Sequence, residues 1–174
     1  MTDLFVIFIY FIASLFLFSY GINCYVVVWL YLKSYRKGQK INASIEAASV
    51  NLWDKPENVP SITTQIPLYN ELNVAERVIR AAAAMDYPRG KHEVQILDDS
   101  TDETRLLVDQ LAEELRKEGK DVTVFRRNNR VGYKAGALEA GTRYAKGEFL
   151  AVFDSDFVPQ KDFLKRLVPF FLND

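Results

Sequence analysis

Two aspartates one residue apart, Asp154 and Asp156, close the apolar run EFLAVF at 148–153. The middle of a sheet excludes carboxylates, so the pair calls for water, a cation or a ligand where the strand stops. In an extended or turning segment, residues i and i+2 project the same way. Two carboxylates so placed suit a hard divalent cation, Mg²⁺ or Mn²⁺, with diphosphate oxygens and waters filling the other positions. A solvated turn with helix-capping acids is the plainer alternative, because an isolated D-x-D is a frequent chance match.

A second acidic pair, Asp98-Asp99, follows HEVQIL at 92–97. A carboxylate accepts from N–H donors, and the Watson–Crick edges of uracil and guanine both offer one. The pair can therefore hold a nucleotide base without specifying which. Ser100 and Glu103 read as a capping box for the next helix, which leaves at least one carboxylate free. The loop RRNNRVGYKAGAL at 126–138 gathers Arg126, Arg127, Arg130 and Lys134 around a helix N-terminus, a ready anion site if it is more than a solvated basic loop. Neither a Walker A loop nor G-x-G-x-x-G occurs. His92, the only histidine, opens a strand; a Ser-His-Asp hydrolase would need it at the other end, so it reads as structural.

The elements that must position these groups alternate. SITTQI (61–66) is a strand closed by Pro67, and a helix from about Leu72 to Met85 follows, with Asn70 as its cap. HEVQIL is the second strand, followed by a helix to about Glu118 that Gly119 stops. DVTVFR (121–126), a helix over 134–145, EFLAVF and a last helix over 162–171 complete the run. Strand–helix alternation of this kind predicts an α/β layer with a mostly parallel sheet. Ligands of such sheets bind at the carboxyl ends of the strands. Pro67 to Glu71, Asp98-Asp99, the loop from Arg126 to Lys134, and Asp154 to Asp156 all fall on that one edge.

The amino-terminal part differs in kind. From Leu4 to Leu32 no residue is charged, long enough as a helix for one tilted membrane span. A signal peptide would be shorter, with a basic start and a small-residue end. Asp3 precedes the stretch, whereas Lys33, Arg36, Lys37 and Lys40 follow it, so the N-terminus is expected outside and the rest of the chain in the cytoplasm. The expected organisation is an anchor at 1–32, a basic or amphipathic juxtamembrane linker at 33–59 and a ligand-binding domain at 60–174. Residues 33–174 carry 22 basic and 22 acidic side chains, a balance that argues against nucleic acid as a partner. Cys24 is the only cysteine, which excludes an intrachain disulfide and a cysteine-based zinc site.

QIPLYNE (65–71), VQILDDSTD (94–102), NRVGYKAGAL (129–138) and FDSDFVP (153–159), in this order and spacing, resemble family-2 glycosyltransferases of the GT-A fold. More narrowly they resemble cellulose-synthase-like β-glycan synthases, including glucomannan mannosyltransferases. The resemblance implies a Rossmann-like nucleotide-sugar domain behind the transmembrane helix. By that likeness Tyr69 and Glu71 line the nucleoside pocket, Asp98 and Asp99 hold the base, and Lys134 contacts the diphosphate. Asp154 lies near the ribose and diphosphate, and Asp154 and Asp156 bind the metal. The implied donor is of the UDP-glucose or GDP-mannose type, the acceptor a glycan or lipid, and the transfer inverting. The family's Thr-Glu-Asp-like base motif and its Gln-x-x-Arg-Trp motif have no counterpart here, so no residue of this chain is assigned as catalytic. The expectation is a truncated synthase; the alternative is a non-catalytic nucleotide-sugar-binding membrane module that works with a second chain.

Overall fold

A computed structural model describes residues 2–172 and divides the chain into two compact units, 1–48 and 49–174. The first unit is one helix, α1 (Thr2–Ser49), whose described side chains from 3 to 47 are nearly all exposed. It is long and apolar enough to cross a membrane. The helix continues through the expected juxtamembrane segment from Lys33 as far as Ser49. Residues 33–49 hold neither proline nor a glycine pair, so nothing in the sequence stops the hydrogen-bond ladder there. Pro56 then opens a single 3₁₀ turn over Pro56–Asn58.

The second unit carries a four-stranded sheet, all parallel, of β1 (Ile62–Leu68), β2 (His92–Asp98), β3 (Asp121–Phe125) and β4 (Phe149–Val152). The order β3-β2-β1-β4 places β1 at the centre. Alternation along the strands splits the sheet into two unlike faces. Ile62, Ile66, Val94, Ile96 and Val122 form an apolar face, packed with residues of α2 (Leu72–Ala83), α3 (Thr104–Lys117) and α5 (Phe163–Phe171). The opposite face bears Thr63, Gln65, Glu93 and Gln95, all buried, with Gln65 donating to Gln95 at 3.0 Å. α4 (Tyr133–Thr142) covers it. A Cβ on Gly141 of α4 would come within 2.6 Å of Leu97 and 2.9 Å of Gln65, so a glycine permits this close approach.

Two expected ends shift for physical reasons. β1 runs through Pro67 instead of stopping before it. The carbonyls of Ser61 and Gln65 accept from Phe149 and Phe153 of the β4 segment, so odd-numbered residues of β1 bond toward β4. Pro67 therefore points past the end of β4, where its missing N–H costs nothing. α2 begins without the expected cap: Glu71 occupies the cap position, and Asn70 adopts φ 55. The Asn70 side chain instead accepts from the Thr101 N–H at 2.8 Å, joining the loops that follow β1 and β2.

Candidate donor site at the carboxyl edge of the sheet

The order of connection reverses at β1, because β2 and β3 are added on one side of it and β4 on the other. Such a switch point opens a crevice at the carboxyl ends. The loops around it bring Tyr69, Glu71, Asp98, Asp99, Lys134, Asp154 and Asp156 to one edge. A recess of about 120 Å³ is lined by Tyr69, Glu71, Asp99, Arg130 and Lys134 among others. A neighbouring cleft of about 390 Å³ adds Asp98, Thr101, Arg126 and Arg127. A larger cavity of about 480 Å³ lies at the opposite edge, beside His92 and Lys120, and none of the candidate residues lines it.

The two acidic pairs are held differently. Leu97 of β2 stands opposite Phe125 of β3, so the next positions, Asp98 with Arg126 and Asp99 with Arg127, leave the sheet side by side. The Asp98 side chain is fully buried; it accepts from Arg126 Nε at 2.8 Å and from the Ser100 N–H at 3.0 Å. Arg126 also reaches Asp109 at 2.8 Å and the Arg105 carbonyl at 3.1 Å. Asp99 accepts from Arg127 through both carboxylate oxygens, the Nε contact measuring 3.1 Å. Burial works against the Arg126 charge, but its bonds to Asp109 and Asp98 outweigh this and raise its pKa. Arg127 is raised by its hydrogen bond to Asp99.

Two expectations are corrected by this arrangement. Ser100 does not cap α3: Glu103 holds the cap position without a side-chain bond, and the Ser100 hydroxyl instead accepts from the Asn70 N–H at 2.9 Å. Nor are Arg126 and Arg127 open anion ligands, since each neutralises an aspartate. The doubled pattern, Asp-Asp after one strand and Arg-Arg after the next, was the available signal for that pairing. Arg127 additionally donates to the carbonyls of Val131 at 2.8 Å and Tyr133 at 2.9 Å, fixing the loop that enters α4. Gly132, at φ 73, makes the turn. A Cβ on Gly136 would fall 2.2 Å from the Val131 carbonyl oxygen, so the first turn of α4 lies hard against this loop.

Asp154 and Asp156 are exposed beyond β4. Lys134, near the start of α4, forms an ion pair with Asp154 across the switch point. Among the described residues, the Asp156 carboxylate has no ion-pair or hydrogen-bond partner. Glu71 Oε2 is buried and also unpartnered. Among the described residues no group of three or more His, Cys, Asp or Glu converges as a ready metal cage. Two carboxylates suit a different kind of site, in which a cation keeps most of its positions for ligand oxygens and water.

His92 lies at the amino edge, its Nε2 2.9 Å from Thr64 Oγ1. Burial, with a smaller effect from Lys120, lowers its pKa to about 4. It is placed as the sequence implied, away from the crevice.

Residues 64–174 match the model of glycosyl transferase family 2. Glucomannan 4-beta-mannosyltransferase 7 of Arabidopsis thaliana is 38% identical over 152 residues, covering 85% of this chain and 27% of that protein. Probable glucomannan 4-beta-mannosyltransferase 15 of the same organism is 38% identical over 170 residues, 94% of this chain and 31% of that one. The chain thus spans less than a third of the length of these relatives. Among solved structures, the mannosyltransferase PcManGT from Pyrobaculum calidifontis, in complex with GDP-Man and Mn²⁺, superimposes with a TM-score of 0.61 at 29% identity. That match covers 83% of this chain and 43% of the other. S. aureus TarS 1–349 in complex with UDP-GlcNAc gives a TM-score of 0.55 at 25% identity, over 64% of this chain and 31% of the other. The parallel α/β sheet described above is consistent with the GT-A fold.

Proposed function

The chain belongs to glycosyl transferase family 2, and from that premise we propose that its sheet edge is the donor half of a membrane-anchored hexosyltransferase. The observation that supports this reading best is the pattern of unmet valence at the switch point. Among the described residues Asp156 and Glu71 Oε2 stand without partners, and the Asp154 carboxylate is held only by a lysine that can exchange it for another anion. A nucleoside-diphosphate sugar with a divalent cation completes every one of these groups.

In this reading Tyr69 and Glu71 receive the nucleoside, and Asp98 and Asp99 meet its base. Asp99 faces the recess, while the buried Asp98, locked by Arg126, sets the position of the segment. The donor set fits Mg²⁺ or Mn²⁺: Asp154 and Asp156 are exposed oxygen ligands that leave room for diphosphate oxygens. Such an ion supplies positive charge where the departing diphosphate gathers negative charge. Lys134, released from Asp154, adds a second positive charge to the same oxygens. The relatives' names and the GDP-Man complex favour GDP-mannose over UDP-glucose as donor.

The transfer itself is inverting. An acceptor hydroxyl of a glycan or lipid attacks the anomeric carbon in line, the bond from that carbon to the diphosphate oxygen breaks, and the hydroxyl proton passes to a general base. None of Asp98, Asp99, Asp154 and Asp156 is assigned as that base. In this reading helix α1, long and apolar enough to cross a membrane, is the anchor, with Lys33, Arg36, Lys37 and Lys40 on its cytoplasmic side.

Calorimetric titration of the full chain in lipid nanodiscs tests the reading. GDP-mannose should bind at one saturable site in Mn²⁺ and lose most of its affinity in excess EDTA. No heat with either GDP-mannose or UDP-glucose in Mn²⁺ would overturn it.

A further inference from the structure

The segment from the end of β3 into the first turn of α4 carries four cations, and three of them are already neutralised. Arg126 pairs with Asp98 and Asp109, Arg127 with Asp99, and Lys134 with Asp154. Arg130 is different: among the described residues its guanidinium forms no ion pair and no hydrogen bond. It lies instead on aromatic rings, its central carbon 3.2 Å from the centre of the Tyr69 ring and 5.2 Å from that of Tyr133. Arg130 also lines both the recess that holds Glu71 and Lys134 and the wider cleft that holds Asp98 and Asp99.

We propose that Arg130 is the specificity residue that makes this site prefer a nucleoside diphosphate over the bare nucleoside, by covering the Tyr69 ring until a diphosphate draws it away. The proposal rests on the donor-site reading, which makes Tyr69 part of the nucleoside pocket. An aromatic ring offers a base a stacking surface. A guanidinium stacked on that ring at 3.2 Å occupies the same surface, so one of the two must leave. A cation–π contact at an exposed site is weak, whereas a guanidinium on phosphate makes two parallel charge-assisted hydrogen bonds. A nucleoside alone must displace Arg130 without compensation. A nucleoside diphosphate displaces it and then binds it.

The geometry permits this exchange without remodelling the loop. Arg127 holds the backbone that follows Arg130 through the Val131 and Tyr133 carbonyls, and Gly132 makes the turn. Arg130 itself is exposed, so its side chain can rotate from the ring toward the Lys134 side of the recess while the backbone stays in place. Neither Arg126 nor Arg127 can substitute for it, because moving either uncovers a buried aspartate.

The test measures dissociation constants of guanosine, GDP, uridine and UDP, in Mn²⁺, for the full chain in nanodiscs and for Arg130→Ala and Arg130→Lys. For the base the wild type accepts, Arg130→Ala should bind the nucleoside about three-fold more tightly and the diphosphate about ten-fold or more weakly. The diphosphate-to-nucleoside preference then falls by about thirty-fold. Arg130→Lys, which keeps the charge but loses the planar stack and the paired phosphate hydrogen bonds, should gain on the nucleoside and lose part of the diphosphate affinity, falling between wild type and Arg130→Ala. Equal weakening of both ligands in Arg130→Ala would make Arg130 a loop-shaping residue and overturn the proposal, as would an unchanged ratio. Either result leaves the donor-site reading intact. Failure of the wild type to bind any of the four would overturn that reading, and the Arg130 assignment with it.

Discussion

The two edges of the parallel sheet use similar residues to opposite ends. At the amino edge Thr63 donates to Glu93 at 2.8 Å, and Glu93 also accepts from the Lys146 N–H at 3.1 Å. The Gly147 N–H donates to Thr63 at 2.9 Å, Lys146 bonds Asp121 at 2.8 Å, and His92 meets Thr64. Each of these groups is answered by another within the protein. At the carboxyl edge the buried layer is closed in the same way, through Asp98 with Arg126 and Asp99 with Arg127. Above that layer, among the described residues, Glu71 Oε2, the Asp156 carboxylate and the Arg130 guanidinium stand without ionic or hydrogen-bonding partners. A cluster of charges is therefore no guide to function by itself; the guide is whether the charges leave valence for something else.

Substitutions at each edge sharpen this contrast. The largest effect belongs to the closed layer beneath the site. Arg126→Met leaves the Asp98 carboxylate buried with only the Ser100 N–H, and should cost about 3–5 kcal/mol of unfolding free energy, read from denaturant melts of the full chain in detergent.

The closed amino edge should respond to pH. His92 titrates near 4 in the folded unit and near 6.5 in the unfolded chain, so the unfolded chain binds the additional proton between those values. Stability is thus full above about pH 6.5, falls as pH drops through the window, and levels off below about 4. At pH 4.5 the expected loss is about 2–3 kcal/mol relative to pH 7. His92→Gln should remove that part of the slope, seen as a smaller difference between denaturant midpoints at the two pH values. Identical slopes in wild type and variant would contradict the burial argument.

At the open edge the effect is on ligand and not on folding. Outer-shell changes at metal sites cost 10–100-fold in affinity, so loss of a direct ligand in Asp156→Asn should weaken Mn²⁺-dependent donor binding by about 100-fold. The melting midpoint without ligand should not move, because among the described residues the Asp156 carboxylate has no partner to lose. A large shift in stability would make Asp156 a structural residue.

Much of this was legible in the residues. Strand–helix alternation gave the parallel sheet, and the rule of carboxyl ends collected the candidate groups before any coordinate did. The position of His92 at the amino edge was legible because its side of the sheet follows from its place in a strand. Local hydrogen bonding escaped, since short polar side chains have several partners at equal cost in sequence. Asn70 and Ser100 both look like caps, yet each bonds to the other's loop, a contact between residues thirty apart. Pro67 looks like a strand terminator until β4 is known to end before it. The pairing of Arg126 and Arg127 with Asp98 and Asp99 required the β2–β3 register, which no local pattern fixes. On the last helix Leu167, Phe170 and Phe171 are exposed, whereas Phe163 packs edge-on against Phe153 at 5.1 Å.

Hydrogen–deuterium exchange of the full chain in nanodiscs, with and without GDP-mannose and Mn²⁺, tests the contrast between the two edges most directly. Slowed exchange should be confined to peptides covering 66–72, 98–101, 126–135 and 153–157, with the 88–93 and 118–121 segments unchanged. Protection around His92 and Lys120, with none at the carboxyl edge, would place the ligand at the wrong end of the sheet and contradict the account.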